Sequence, residues 1–286
     1  MIKFIDLFSG IGGFHLALHN IGAECVFASE IDTHARKTYE HNFKDIFSTI
    51  TTNFNKDILS LDIKTIPDFD LLCAGFPCQP FSQAGHKKGF DEVKANRGNM
   101  FYKIIEILEQ KRPKAFFLEN VSNIIKHDNG NTFKIIQESI ENIDYTFFYK
   151  IVKASDYGLP QHRARCFMIG FDKSLNINDF IFPPSIPLKY TISDVFNGKC
   201  DKDIGYTLRV GGRGSKYGDK HNWEFYKVDN EIKRLGIKEG KMLMGFPESF
   251  HFPVSETQSM KQLGNSVAVD AIEIVAKEII KIIDKK

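Results

Sequence analysis

Cys78 is where this sequence could do covalent chemistry. It lies in Gly75 to Ser82 (GFPCQPFS). Prolines on both sides keep the stretch from continuing as helix, because proline fixes its own φ and pushes the residue before it toward extended backbone. The preceding apolar run, Phe69 to Ala74 (FDLLCA), reads as a short buried strand. A stiff loop at the carboxyl end of a strand is where open α/β sheets place their sites. A thiolate there is a nucleophile; the plainer alternative is a small buried hydrophobe, one of five cysteines. Glu119 ends a second apolar run, Lys114 to Leu118 (KAFFL), and so shares the sheet edge with Cys78, unless it merely caps a helix. Arg163 and Arg165 precede the strand Cys166 to Phe171. They point the same way if that strand begins early. Two guanidinium groups there could clamp a substrate or phosphate, or simply be solvated.

These side chains need a frame, and the beginning of the sequence supplies one. Lys3 to Leu7 reads as a strand, Phe8 to Phe14 (FSGIGGF) as a glycine-rich turn, and Phe14 to Asn20 as a helix. Strand, glycine turn and helix open a nucleotide-type βαβ unit, where glycine lets backbone approach a ligand. The dinucleotide pattern G-x-G-x-x-G is not met, because His15 stands at its last position. A purely structural turn is the alternative. A second strand, Glu24 to Ala28, ends near Glu30, 20 residues after Gly10, the spacing of a ribose-binding carboxylate. Asp32 is the expected cap of the helix Thr33 to Asn42, which leaves Glu30 for a ligand. Asp57 is either an acceptor for an adenine amino group or a turn residue.

Composition fits an ordinary globular protein, with 42% hydrophobic and 26% charged residues over 286 positions. That length suits one large domain, or a large and a small one. The five cysteines are odd in number and form no CxxC pair, so neither a disulfide framework nor a zinc site is expected. The N-terminal residues lack a signal peptide's apolar core, and no apolar run has the length of a membrane span; a cytoplasmic location is the expectation. A net charge of +2 confines any nucleic-acid surface to a local patch.

Beyond Cys78 the polar, glycine-hinged stretch Gln83 to Asn99 reads as a lid or a plain exposed loop. Helices are expected over Met100 to Glu109, Asn129 to Asn142 and Ala268 to Ile283, and a strand over Tyr145 to Val152. Three prolines in Phe182 to Pro187 mark a boundary. From there to about Pro253 the sequence is polar and glycine-rich, with few helical periods, although Met242 to Phe250 (MLMGFPESF) reads as a helix end with a Gly-Phe-Pro stop. Residues 1–183, completed by 262–286, are the expected catalytic and cofactor-binding domain; 184–261 are the expected small target-recognition domain with its hinge. Within the latter, Tyr206 to Lys220 (YTLRVGGRGSKYGDK) interleaves basic residues with glycine and tyrosine, a texture suited to a DNA groove or to a solvated loop.

In this order, DLFSGIGGF, Glu30, GFPCQPFS, RGNMF, FLENV, QHRAR, MGFP and QLGNSVAV resemble the motif set of the bacterial DNA (cytosine-5)-methyltransferases of the type II restriction-modification type. The likeness spans Asp6 to Val269 and thins between Pro184 and about Lys233. It implies an α/β fold: a Rossmann-like, S-adenosylmethionine-dependent methyltransferase fold, mostly parallel, with a small target-recognition domain. The implied cofactor is S-adenosylmethionine, leaving as S-adenosylhomocysteine, with no metal. By the same resemblance Phe8, Gly10 and Gly12 line its methionine and adenosine portions. Glu30 takes the ribose, Ile31 packs on adenine, Asp57 accepts from the adenine amino group, and Asn265 and Ser266 complete the pocket. Cys78, Glu119, Arg163 and Arg165 become the catalytic set. Ser82, Arg97, Thr207, Arg209 and Arg213 become the DNA contacts.

The implied reaction adds the Cys78 thiolate to carbon 6 of a flipped-out cytosine, so that carbon 5 can take a methyl group. Glu119 serves ring nitrogen 3; Arg163 and Arg165 serve the carbonyl oxygen and the Cys78 loop. The implied partner is double-stranded DNA carrying a short specific site. The resemblance leaves room for a cognate restriction endonuclease acting on that site without direct binding. A monomer working in the bacterial cytoplasm or nucleoid, without a membrane, is expected. Two alternatives stand beside this reading: a tRNA cytosine-5 methyltransferase and a non-catalytic DNA-binding relative.

Overall fold

The computed structural model describes residues 1–44, 54–77, 100–210 and 216–285. Seven strands form one sheet: β1 Lys3–Leu7, β2 Glu24–Ser29, β3 Phe54–Asn55, β4 Leu71–Gly75, β5 Ala115–Val121, β6 Phe148–Lys153 and β7 Ala164–Phe171. Their order is β3-β2-β1-β4-β5-β7-β6. Every pairing from β3 to β5 is parallel, while β7 runs antiparallel to both neighbours. Strands β4, β5 and β7 are mostly apolar because both their faces are covered, while β6, at the edge, is largely exposed. Alternate residues serve opposite faces, so Phe117 joins one core and Phe116 the other.

Helices α1 Gly13–His19, α2 Thr33–Phe43, α3 Met100–Lys111, α4 Asn131–Glu141, α5 Ile192–Phe196, α6 Ile237–Met244, α7 Glu256–Asn265 and α8 Val269–Ile283 complete the described regular structure, with several short 3-10 turns and a two-stranded ribbon. On α8, Ile272, Val275, Ala276, Ile279 and Ile283 recur at helical spacing and are buried. They pack with Phe14 and Leu18 of α1 against the Phe4 and Phe117 face. Ile104 and Leu108 of α3, with Ile136 and Ile140 of α4, cover the other face.

Past the proline cluster, β8 Phe225–Val228 and β9 Glu231–Arg234 pair antiparallel around fully buried Trp223 and Tyr226. Their apolar cluster continues without a break into the one beneath α1 and α8. Carbonyls and side chains also tie the two parts: Lys189 pairs with Asp270. This stretch holds more helix than its texture suggests. Helices α5 and α6 have five and eight residues, too few turns to leave a clear period in the sequence.

Boundaries elsewhere move by a few residues. Strand β4 begins at Leu71 rather than Phe69. Strand β6 begins only at Phe148; Tyr145 instead donates its hydroxyl to the Pro113 carbonyl (2.6 Å). Strand β7 begins early, at Ala164, because Ala164 and Arg165 pair with Lys153 and Val152. Cys78 and the stretch Gln83 to Asn99 lie outside the described residues.

His15 fills the position where the glycine pattern failed. It is fully buried, stacked on Phe43 with ring centroids 4.1 Å apart, and its Nδ1 meets the Tyr39 hydroxyl at 2.6 Å. Burial, with the nearby His19, pushes its pKa down to about 3. The unfolded polypeptide takes up this proton near pH 6.5 and the folded one does not. His15 therefore contributes stability that is present above pH 6.5 and lost as pH falls toward 3. At pH 5 the loss is about 2 kcal/mol, at 1.36 kcal/mol per pH unit. The stability difference between the protein and a His15→Gln variant, measured by urea unfolding, should shrink by roughly that amount between pH 7.5 and 5. A difference that stays constant would mean His15 is not buried neutral.

Candidate active site

One cleft of about 580 Å³ runs along the carboxyl ends of β1, β2, β4 and β5. The sheet order reverses there: β2 lies on one side of β1 and β4 on the other, the switch point where α/β sheets bind ligands. The glycine turn forms its floor. Phe8 and Gly10 have φ of 55° and Gly12 has 85°. The turn closes through Gly12 N–H to the Ser9 carbonyl (2.8 Å) and Ser9 N–H to the Ser29 carbonyl (2.9 Å). A Cβ on Gly10 would meet nothing within 4 Å, so its backbone is open to the cleft. Gly12 is not part of the lining: a Cβ there would stand 2.3 Å from the Phe43 ring, so its role is to let the turn lie on α2.

Glu30 hangs over this turn. One carboxylate oxygen accepts from Gly10 N–H (2.8 Å), the other from Asp32 N–H (2.7 Å). Burial raises its pKa and these bonds oppose the rise. Asp32 caps α2 by accepting from His34 and Ala35 N–H. Asp57 lines the same cleft while capping a turn, with one oxygen accepting from Leu59 N–H (3.0 Å). Ile31 lines it with 64% of its surface exposed. Asn265 and Ser266 close the far wall at the end of α7.

Residues with no role in the sequence reading also appear. Gln262 lines the cleft and is 7% exposed. Its Oε1 accepts from the Thr38 hydroxyl (2.9 Å), while its Nε2 has no partner. The carboxylates of Glu30 and Asp57 and apolar walls at Phe8, Ile11, Ile58 and Phe76 together fit a nucleoside joined to an amino acid. Asn120 donates to the Phe76 carbonyl (2.9 Å) and accepts from Val121 N–H (2.8 Å). It thereby fixes the backbone just before Pro77, which lines the cleft and directly precedes Cys78. The signal for Asn120 was its place beside Glu119 in the ENV motif; Gln262 offered none beyond its own motif.

The charged centre lies at the end of β5. Gly75 of β4 pairs with Glu119 across the parallel ladder. Because β7 is antiparallel, its first residues stand at the carboxyl edge of the others, and Arg165 pairs with Val121. Arg165 Nε reaches Glu119 Oε1 at 3.0 Å. Burial raises the Glu119 pKa, and Arg165 and then Arg163 pull against that rise. Arg163 is 2% exposed. It donates to the Leu208 (3.3 Å), Gly264 (3.1 Å) and Ser266 (2.5 Å) carbonyls, all through its two Nη groups, and its Nε has no partner. Burial and Arg165 push its pKa down to about 9, which leaves it charged at neutral pH. Thr207 and Arg209 line the cleft from the small part. Ser82, Arg97 and Arg213, like Cys78, fall outside the described residues.

The mostly parallel sheet with one antiparallel strand, and a cleft at its switch point, define a Rossmann-like α/β fold. A putative DNA modification methyltransferase encoded within a prophage of E. coli superposes with a TM-score of 0.74 at 23% identity, covering 99% of this protein and 100% of that one. An Entamoeba histolytica methyltransferase does so with a TM-score of 0.72 at 20% identity, covering 100% and 99%. Those two establish the fold alone. Residues 2–209 and 201–281 match the model of the C-5 cytosine-specific DNA methylases. Type II methyltransferase M1.ScrFI of Lactococcus lactis subsp. cremoris is 41% identical over 99% of this protein and 79% of its own length. Type II methyltransferase M.HhaI of Haemophilus parahaemolyticus is 36% identical over 97% and 94%. The protein belongs to the C-5 cytosine-specific DNA methylase family, and its activity is methyl transfer to carbon 5 of cytosine in DNA.

Gly264 shows how closely the parts of this site approach. A Cβ there would lie 2.7 Å from the backbone carbonyl carbon and oxygen of Arg209. Alanine is favoured over glycine in a helix by about 1 kcal/mol. Overpacking against fixed backbone costs about 1–3 kcal/mol, so the clash should win. Gly264→Ala should lower the urea midpoint; an equal or higher midpoint would show that the Arg209 backbone gives way freely.

Proposed function

We propose that Cys78, Glu119, Arg163 and Arg165 carry out this methyl transfer on a cytosine swung out of a short duplex site. The observation that supports it is the Glu119–Arg165 pair, held at 3.0 Å in the cleft that also contains the glycine turn and Pro77. S-adenosylmethionine, when bound, supplies a methyl group on a sulfonium centre. Glu30 would hold its ribose, Ile31 and Asp57 its adenine, and Phe8, Gly10, Asn265 and Ser266 the amino-acid end; Gly12 shapes the turn beneath.

Cytosine carbon 5 is too weak a nucleophile to react unaided. The Cys78 thiolate adds to carbon 6, and the electron pair of the carbon 5–carbon 6 double bond moves into the ring toward nitrogen 3. Glu119, its pKa raised by burial, holds a proton at nitrogen 3. Arg165 donates to the carbonyl oxygen, where negative charge collects. Arg163 adds charge from behind and orients the loop. Carbon 5 is then an enamine carbon able to take the methyl group. Loss of its proton and of the Cys78 thiolate restores the aromatic ring. Extruding the base costs a few kcal/mol, which contacts by Ser82, Arg97, Thr207, Arg209 and Arg213 would offset. The same reading has a monomer meeting double-stranded DNA in the bacterial cytoplasm, with any restriction endonuclease sharing only the site. No helix among the described residues is long and apolar enough to cross a membrane.

The test is a denaturant-stable complex with DNA carrying 5-fluorocytosine, whose carbon 5 fluorine blocks the elimination. The protein should form it and Cys78→Ser should not; an adduct that persists in Cys78→Ser removes Cys78 as nucleophile. Labelled methyl appearing in tRNA and not in duplex DNA would remove the DNA reading. Glu119→Gln should lower the methyl-transfer rate by about 10²–10⁴-fold. Gln rather than Ala is the informative change, because unpairing buried Arg165 costs on the order of 3–5 kcal/mol. The protonated carboxyl is the working form, so the rate should fall as pH rises through a pKa above the usual carboxylate range, and Glu119→Gln should lose that limb. A limb retained in the variant would assign it to another group.

A further inference from the structure

The segment that brings Thr207 and Arg209 to the cleft is held by its backbone. Residues 205–208 run alongside 160–163. Gly205 N–H donates to the Pro160 carbonyl (2.9 Å) and His162 N–H to the Gly205 carbonyl (3.0 Å), with Gln161 and Gly205 bridged in parallel. Leu208 closes the contact. Its N–H donates to Gln161 Oε1 at 2.9 Å, and its carbonyl accepts from Arg163 Nη1 at 3.3 Å. Gln161 Nε2 in turn donates to the Leu243 carbonyl at 2.8 Å. Two partners of this amide are backbone groups with fixed roles, so its orientation is unambiguous. Gln161 and Leu208 are 0% and 1% exposed. On either side of Leu208, Thr207 is half-buried and Arg209 is exposed, and both line the cleft. The second Arg163 arm holds the Gly264 and Ser266 carbonyls, beside the Gly264 contact with the Arg209 backbone.

We propose that Gln161 and Arg163 are positioning residues for target recognition: they bracket the Leu208 peptide groups and so set where Thr207 and Arg209 stand against DNA. Arg163 links that placement to the wall formed by Gly264 and Ser266. This rests on the reading above that Thr207 and Arg209 meet DNA. A side chain that touches no base thereby decides which bases are read, because buried backbone groups stripped of partners must move to find others. Gln161 and Arg163 differ in what they hold. Among the described residues, the Gln161 side chain hydrogen-bonds to the small part, at Leu208, Leu243 and Met244. Arg163 touches the cofactor-side wall as well.

The experiment first maps the methylated site by bisulfite sequencing of a plasmid exposed to the enzyme. It then compares methyl transfer to a duplex carrying that site with transfer to duplexes changed at one base pair. The ratio of the two rates does not depend on how much of a preparation is folded, so a purely structural defect leaves it unchanged. Gln161→Leu should lower the ratio roughly tenfold, the size of one misplaced base contact, with S-adenosylhomocysteine affinity held within about twofold by calorimetry. Arg163→Lys, whose single ammonium cannot span three carbonyls, should lower the ratio and weaken S-adenosylhomocysteine as well, each by about tenfold. Arg209→Ala separates the two layers. If it changes the ratio and Gln161→Leu does not, the bracket is overturned and the DNA reading stands. If neither changes it, the DNA reading falls and the bracket with it. Should Gln161→Leu fail to fold, Arg163→Lys decides: an unchanged ratio overturns the bracket, and a lowered one supports it.

Discussion

A carboxylate taken almost out of water at the end of β5 constrains everything around it. Glu119 is 8% exposed, and burial works against its charge. Such a group is tolerated only with a partner or a proton. Arg165 is the partner, and it stands there because β7 runs against its neighbours. A parallel β7 would bring its last residues, not its first, to this edge. The single antiparallel strand is thus the feature that lets a cation reach the cleft from a segment far along the sequence. The proton is the other solution, and a balance between the two is what the proposed role at ring nitrogen 3 would require. Stability and chemistry draw on the same ambivalence.

Around that pair, bonds to the backbone do most of the positioning. Asn120 holds the Phe76 carbonyl, Glu30 holds the Gly10 and Asp32 amides, and Arg163 holds three carbonyls. Each fixes backbone rather than another side group. Backbone polar groups cannot change type by mutation, so a site anchored to them keeps its geometry while the side groups between are free to vary. The glycines answer the same need from the other direction: at Gly13 a Cβ would meet Val267 and Ser266, and at Gly264 it would meet the Arg209 backbone.

Much of this was legible in the residues. The strands of the large part announced themselves as apolar runs, and α8 by its buried period, because both signals reflect faces that must leave water. Glu119 could be placed beside Cys78 at a strand end, and the two arginines at the mouth of another, but the ion pair of Glu119 with Arg165 emerged only with the fold. The sequence was silent where contact depends on long-range return. Nothing in the local text around Gln161 says that its amide will meet Leu208 and Leu243, 47 and 82 residues away. Nothing separates Arg163 from Arg165, yet Arg163 is sealed among carbonyls while Arg165 faces Glu119. Helix α5 was missed for a simpler reason: at five residues it completes too few turns to stand out, while α6 showed only its end, at Met244 and Gly245. The motif did not announce the packing of Gly12 on α2, where Phe43, a residue 31 positions on, fills the space beside it.

The meeting of Gly13 with Ser266 and Val267 has a consequence for the making of the protein. The glycine turn leaves the ribosome well before the wall that faces it is made. Helix α8, which packs on α1, follows that wall directly. A nascent polypeptide can build β1 to β5 and still lack half of its cleft. The cleft is therefore closed only after that wall has been made and Gly13 meets Ser266 and Val267.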